Sequence, residues 1–270
     1  MWMQARIVEL IEYRELIRNL VVRDLKVRYK NSVLGILWSL LNPLLMMTVF
    51  TVVFTVMMPS DIPNFPVFVL CGLLPWNFFS ASMTAATGSI VENAPLVKKV
   101  YFPREVLPLS VVLSNLVNFL IALIVLFTMI MVFRVRLTTW VLLLPLIILI
   151  QVMFTAGMAF FLSTLNVFYR DTKIIVEVLM MAWFFVTPVF YPIKNLPHNY
   201  MLWGINVDVW RWIRILNPMA SLVAAYRDVL FWGRLVGPDF LLRTFVTSLV
   251  ILVGGYLVFI RYSRVFGEEV

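Results

Sequence analysis

SVLGILWSLLNPLLMMTVFTVVFTVMM, residues 32–58, contains no charged side chain and directly follows the basic segment RDLKVRYKN, residues 23–31. As an α-helix the uncharged stretch is about 40 Å long at 1.5 Å per residue, and a bilayer core is about 30 Å thick. Asn42-Pro43 lies in its middle, where proline removes a backbone hydrogen bond, so we expect a kink that faces protein rather than lipid. The junction predicts a point where the chain enters a membrane.

Composition supports a membrane location for the whole chain. Of the 270 residues, 62% are hydrophobic and 13% are charged, whereas a soluble chain carries about 25% charged residues. The net charge of +8 is interpreted as loop charge that orients helices and contacts anionic lipid, and not as a nucleic-acid surface. Charges occur throughout the first 30 residues, which argues against a cleavable signal peptide and predicts a cytoplasmic N-terminus.

The segment before the apolar stretch has the pattern of a basic amphipathic helix. Residues 9–30 show two apolar faces whose phase changes near residues 19–22, which predicts either a bend or one helix that meets two partners. A basic amphipathic helix beside a span typically lies at the membrane surface. We therefore divide the chain into a cytoplasmic interfacial helix, residues 1–31, and a transmembrane domain, residues 32–270.

Six apolar segments predict an all-α integral membrane protein with both termini in the cytoplasm. The segments are 32–58, 65–86, 106–133, 140–168, 174–191 and 241–260. Residues 192–240 are too apolar for an ordinary loop, and the segment 214–232 is too short and too charged to span. We expect short re-entrant or interfacial helices there, before the last span. The excess of Lys and Arg in the N-terminal segment and the loop near residue 100 indicates the cytoplasmic side.

The chain lacks the residues of several kinds of active site. None of its glycines is followed by lysine, so no phosphate-binding GxxxxGK[ST] loop is present. His198 and Cys71 lie far apart without a carboxylate cluster, and we expect no metal site. No nucleophile with a base is evident, and we expect no catalytic residue. Glu177 is interpreted as a partner of Lys173 in a first helical turn.

Five motifs occur in order along nearly the whole chain. They are RDLKVRYKNSVLGILWSLLNPLLMMTVFTVVF (23–54), LPWNFFSASM (74–83), VKKVYFPREVLPL (97–109), FLSTLNVFYRD (161–171) and LNPMASLVAAYRDVL (216–230). This succession resembles the ABC-2 type exporter permeases, and within them the O-antigen and teichoic acid transporters. The resemblance implies export of an undecaprenyl-diphosphate-linked polysaccharide across a bacterial inner membrane. It also implies two copies of the permease and a separate ATPase subunit that holds ATP and Mg²⁺, with no cofactor in this chain.

The resemblance also suggests roles for particular residues. The loop around residues 93–104 would couple to the ATPase through Lys98, Lys99, Tyr101 and Arg104. The basic helix would meet the lipid diphosphate through Arg23, Lys26, Arg28 and Lys30. Uncharged polar and aromatic side chains would border the sugar path: Trp38, Asn42, Asn115, Asn118, Trp183, Phe184 and Phe185.

Other functions remain open on the sequence alone. An ABC-2 exporter of a drug or a lipid would need a closed apolar pocket. A membrane scaffold or a passive channel would not need a loop for an ATPase, and a lipid-modifying enzyme would need convergent catalytic groups. The aromatic residues are also consistent with simple packing or with a belt at the membrane interface.

Overall fold

The computed structural model describes residues 12–30, 32, 34–57, 62–193, 197, 200–202 and 205–270. His198 and the first eleven residues of the predicted interfacial segment lie outside this range. The proposed division at residue 31 stays a prediction.

Helices make up almost all of the described regular structure, as the sequence predicted. In chain order they are α1 Arg14–Tyr29, α2 Trp38–Val52, α3 Phe65–Glu92, α4 Ala94–Lys99, α5 Val106–Val132, α6 Leu144–Phe168, α7 Thr172–Val186, α8 Val209–Leu216, α9 Pro218–Leu230, α10 Pro238–Ser263 and α11 Phe266–Glu269. A π-helical turn, Val53–Met57, extends α2, and a 3-10 turn, Thr139–Leu143, precedes α6. One short antiparallel pair, β1 Tyr200–Leu202 and β2 Ile205–Val207, was not anticipated.

Four helical segments in the described part of the chain are long and apolar enough to cross a membrane. They are Phe65–Glu92, Val106–Val132, Thr139–Phe168 and Asp239–Ser263. The other two predicted spans correspond to shorter helices: α2 has 15 residues and α7 has 15 residues. Pro43 lies inside α2 and is buried, in agreement with a proline that faces protein. Helix α7 ends at Val186, just before Thr187-Pro188.

Helix α3 is the centre of the bundle. It contacts α2, α5, α6, α7 and α9, and most of its residues are buried. Around it, one apolar cluster includes Phe79, Phe154 and Tyr226. A second cluster joins α1, the loop after α4 and the C-terminal segment through Leu20, Phe102 and Phe266. We call the end of the bundle that carries this second cluster the basic end.

Helix α1 runs without interruption across the change of phase in its sequence, and α5 is the helix that it contacts most. Leu20 is buried in the second cluster, while Arg28, two turns later, reaches Asn115 on α5. Both contacts are made by one helix, which has no break at residues 19–22.

The segment 214–232 is divided into parts of two helices. Asn217 ends α8 and begins α9, where its side-chain oxygen accepts a hydrogen bond from the backbone nitrogen of Ala220 at 3.1 Å. Pro218 at the first position of α9 fits this start, because proline needs no hydrogen-bond partner for its nitrogen there. Most of α9 is buried against protein, as expected for an apolar segment that is too short to span.

Candidate functional site

Five of the residues predicted for substrate contact lie around one cavity. A volume of about 500 Å³ is enclosed by α1, α2, α3 and α5. Predicted residues on its wall are Arg28, Trp38, Asn42, Asn115 and Asn118. The wall also includes Asn77 and Ser39, which sequence reasoning did not select. The cavity is therefore lined by one cation and several uncharged polar groups, beside aromatic rings.

The cation in this wall is held by an amide. Arg28 Nη2 donates a hydrogen bond to Asn115 Oδ1 at 3.0 Å, and Asn115 Nδ2 donates to the carbonyl of Val111 at 3.0 Å. Because the amide nitrogen is engaged on its own helix, the amide oxygen is directed toward the guanidinium. Within the described residues no carboxylate lies at ion-pair distance from Arg28. The nearest polar partner that the structure gives to this guanidinium is thus a neutral amide.

A second contact ties the polar side chains of α2 to those of α5. Ser39 Oγ donates to Asn118 Oδ1 at 3.3 Å. Asn115 and Asn118 are three residues apart on α5, so both face the cavity on one side of the helix, as their spacing predicted. The polar wall is thus continuous from Arg28 to Ser39.

Two further cavities adjoin this one along α3. A groove of about 600 Å³ between α2, α3 and α7 shares Asn42, Asn77 and Ala81 with it. A cavity of about 490 Å³ at the basic end shares Arg28 with it. Together they cover α3 from Glu92 to Leu73, about 28 Å at the helical rise. We call these three adjoining cavities the track.

Small and polar residues of α3 form one side of the track. Asn77, Ala81, Ala85 and Ser89 recur every four residues and line its cavities, so they lie on one helical face. The signal was present in the sequence as a small and polar stripe in an otherwise apolar helix. The stripe was not predicted, because small residues such as Ala81 and Ala85 carry no polar or aromatic group that marks a sugar path.

The predicted aromatic residues of α7 occupy different places. Phe184 lines the groove of the track. Phe185 is exposed and packs edge-on against the ring of Phe184. Trp183 lines none of the three cavities: its ring packs edge-on against Phe79, and its Nε1 donates to Asn217 Oδ1 at 2.9 Å. Trp183 therefore joins α7 to the start of α9.

Arg23, Lys26 and Lys30, the other basic residues predicted to meet the lipid diphosphate, do not line the central cavity of the track. Arg23 pairs with Asp24 at 3.1 Å, and both line the cavity at the basic end. Lys26 and Lys30 are exposed. Of the four cations predicted to meet the lipid diphosphate, Arg28 is the one that lines both cavities.

An ion pair at the basic end joins α3 to α7. Lys173 Nζ lies 2.8 Å from Glu92 Oε1. The hydrogen bond to Glu92 raises the pKa of Lys173, and Glu177 adds a smaller effect in the same direction. The sequence suggested Glu177 as the partner, but the structure gives this hydrogen bond to Glu92 and places Glu177 in the groove of the track.

The loop predicted to couple to an ATPase is anchored by apolar residues and leaves polar ones outside. Val97 and Phe102 are buried in the second cluster. Lys98 and Lys99 are exposed, and Tyr101 is 91% exposed. Arg104 Nη1 donates to the carbonyl of Ser263 at the end of α10. The loop is therefore fixed in position while the Tyr101 ring remains uncovered.

Known proteins resemble this chain over most of its length. A family model for the ABC-2 type transporter matches residues 15–231. An O-antigen export system permease protein RfbA from Myxococcus xanthus is 38% identical over 262 residues, which cover 97% of this chain and 98% of the relative. An RfbA from Klebsiella pneumoniae is 36% identical over 91% of each chain. A polysialic acid transport protein KpsM from Escherichia coli is 21% identical over 79% of this chain and 80% of the relative. The chain therefore belongs to the ABC-2 type transporter family, as its motifs suggested.

Proposed function

We propose that this chain is the permease subunit of an ATP-driven exporter that moves an undecaprenyl-diphosphate-linked polysaccharide from the inner leaflet of a bacterial inner membrane outward. The observation that carries the proposal is the track, in which Arg28 is shared by the central cavity and the cavity at the basic end, and asparagine side chains line the central cavity. The RfbA relatives are named for O-antigen export, which favours O-antigen over teichoic acid.

The chemistry of the track matches the parts of such a substrate. A diphosphate is recognised by guanidinium groups, which donate several hydrogen bonds to its oxygens. Amide side chains such as Asn42 and Asn77 can donate to and accept from sugar hydroxyls, and aromatic rings such as Trp38 offer an apolar face. Neutral contacts of this kind are individually weak, so a long polymer can slide past them.

The proposal includes six spans and a second copy of the chain. Helix α2 and its π-helical turn together cover 20 residues from Trp38 to Met57, about 30 Å, which is enough to cross the bilayer core. Helix α7 with the turn after it would form the fifth span. Val176 and Met180 are the fully buried positions of α7. Its remaining apolar surface would face lipid or the second copy.

Reconstitution tests the function directly. Purified permease is assembled with its ATPase subunit in lipid vesicles, and ATP hydrolysis is measured with added lipid-linked oligosaccharide. We expect hydrolysis to change, and we expect a smaller response when Arg23, Lys26, Arg28 and Lys30 are all replaced by glutamate. If small hydrophobic drugs change hydrolysis and the lipid-linked oligosaccharide does not, the chain is an exporter of another substrate class.

We further propose that the ATPase subunit binds the loop that carries Tyr101. An exposed aromatic ring between cations is the composition of an interface hot spot. Cys71, the single cysteine of the chain, is buried, so a cysteine placed at position 101 can be labelled selectively. We expect a membrane-impermeant thiol reagent to label Tyr101→Cys in inverted vesicles and the ATPase subunit to protect it.

The matched variants for this loop separate docking from anchoring. Tyr101→Ala should weaken association with the ATPase subunit. A cysteine at the exposed position Leu142, which lies on the opposite side of the membrane in the proposed topology, should stay unlabelled in sealed inverted vesicles with and without that subunit. Replacing Tyr101 and Arg104 together should further reduce the coupling of ATP hydrolysis to the permease, because Arg104 also holds the loop to the end of α10. Equal labelling of position 101 with and without the ATPase subunit would contradict the docking site.

A further inference from the structure

Arg227 on α9 is a buried cation whose hydrogen bonds go to backbone carbonyls. Only 4% of the Arg227 surface is exposed. Nε donates to the carbonyl of Phe68 at 3.3 Å, and Nη1 donates to the carbonyl of Tyr191 at 3.2 Å and to that of Pro188. Nη2 donates to the carbonyl of Val189. Because Arg presents five donors in a planar fork, one side chain can serve several carbonyls at once.

The socket for this guanidinium is built by α3. The Phe68 ring lies below it, with its centroid 3.6 Å from Arg227 Cζ, a cation–π contact. Gly72 lies one turn further along α3. A Cβ at Gly72 would be 2.8 Å from Arg227 Nη2 and 2.8 Å from the carbonyl oxygen of Val189. A glycine is therefore needed where α3, α9 and the turn after α7 meet.

A second set of contacts ties the other end of α9 to α7. Asn217 Nδ2 donates to Thr187 Oγ1 at 3.0 Å, and Asn217 Oδ1 accepts from Trp183 Nε1 at 2.9 Å. Helix α9 is thus attached at both ends to the last turn of α7 and to the residues that follow it. These polar contacts matter because apolar packing buries few side chains of α7.

Helix α7 also forms one wall of the track. Glu177, Met180 and Phe184 line the groove between α2, α3 and α7. Trp183 and Phe184 are adjacent, so the hydrogen bond that holds Trp183 also restrains the turn of backbone that carries Phe184. A displacement of the end of α7 would therefore change the width of the groove.

We propose that Arg227 is a positioning residue that holds the end of α7 against α3 and α9 and thereby sets the wall of the track at Phe184. The role of the track in transport rests on the proposed function, whereas the position of α7 can be measured without substrate. Truncating Arg227 would leave several buried carbonyls without their donor, which the turn 187–191 can relieve only by moving.

The experiment measures distances between spin labels in the assembled complex, with labelled protein diluted in unlabelled protein. One pair is placed at exposed positions Val132 on α5 and Val186 on α7, and a reference pair at Val132 and Leu242 on α10. We expect Arg227→Lys to widen the distribution of distances between the labels at positions 132 and 186. The distribution for the labels at positions 132 and 242 should stay unchanged. Lysine keeps the charge, but its three donors on one nitrogen cannot serve the four carbonyls on two segments that the planar guanidinium reaches.

A matched control and a second variant complete the test. Arg234 is an exposed arginine whose Nη2 lies 2.6 Å from Asp228 Oδ1. This ion pair does not involve α7, so Arg234→Lys should leave both label-to-label distances unchanged. Gly72→Ala should reproduce the effect of Arg227→Lys from the α3 side. The proposal is overturned if 132–186 stays narrow in Arg227→Lys, or if both pairs widen equally. Loss of the response to lipid-linked oligosaccharide in the unmodified complex would instead reject the proposed function alone.

Discussion

Replacing Arg28 with glutamine should raise the concentration of lipid-linked oligosaccharide that half-saturates ATP hydrolysis by about 10- to 100-fold. The estimate rests on a charge-assisted hydrogen bond, which contributes about 1.5–3 kcal/mol, with 1.4 kcal/mol for each factor of ten. Arg28 is the cation shared by two cavities of the track, and Asn115 holds it there at 3.0 Å. Glutamine retains a hydrogen-bond donor but removes the charge that would attract a diphosphate.

Lys26 provides the matched control for this change. It lies on the same helix and carries the same charge, but it lines none of the cavities of the track, so Lys26→Gln should change the half-saturating concentration much less than Arg28→Gln. General attraction to an anionic membrane would be reduced about equally by either change, at about 1 kcal/mol per cation. Equal effects of the two substitutions would therefore contradict a specific role for Arg28 and leave only a basic surface.

Asn115→Ala should act through Arg28. The guanidinium would lose the oxygen that orients it, while the charge would remain, so we expect an effect between those of Lys26→Gln and Arg28→Gln. The double variant Arg28→Gln/Asn115→Ala should have the same half-saturating concentration as Arg28→Gln alone, because the effects of two substitutions within one hydrogen bond do not add. Measuring the three half-saturating concentrations in one membrane composition tests this order.

Local sequence patterns predicted much of the helical framework. The uncharged stretch after residue 31 predicted a helix at the position of α2, and Pro43 within it was expected to face protein and is buried, because charge content and proline act on the residues next to them. Spacing placed Asn115 and Asn118 on one face of α5. These features depend on neighbours in the chain and can therefore be read from it.

Contacts between distant segments could not be read in the same way. Lys173 is 81 positions from its partner Glu92, and the sequence suggested the nearer Glu177. Trp183 was proposed for a sugar path as an aromatic residue in a span, but its partner Asn217 is 34 positions away. The choice of partner depends on which helices pack together, and no local period encodes that.

Two adjacent glycines on α10 should respond in opposite directions to the same substitution. A Cβ at Gly255 would lie 2.0 Å from the carbonyl oxygen of Gly157 on α6, whereas a Cβ at Gly254 would have nothing within 4 Å. Small residues allow helix backbones to approach closely in membranes. Gly255→Ala therefore forces α6 and α10 apart, and overpacking of this kind costs about 1–3 kcal/mol.

The measurement is the midpoint of thermal unfolding in detergent or vesicles. For a chain of this size each kcal/mol shifts the midpoint by about 2–4 °C, so Gly255→Ala should lower it by about 2–12 °C. Gly254→Ala should leave the midpoint unchanged or raise it slightly, since alanine is favoured over glycine in a helix by about 1 kcal/mol. Gly157→Ala should behave like Gly255→Ala, because its Cβ would lie 2.6 Å from the backbone of Ile251. Similar midpoints for the variants at 254 and 255 would mean that α6 and α10 do not cross at this point, because lipid-facing and helix-facing positions would then be equivalent.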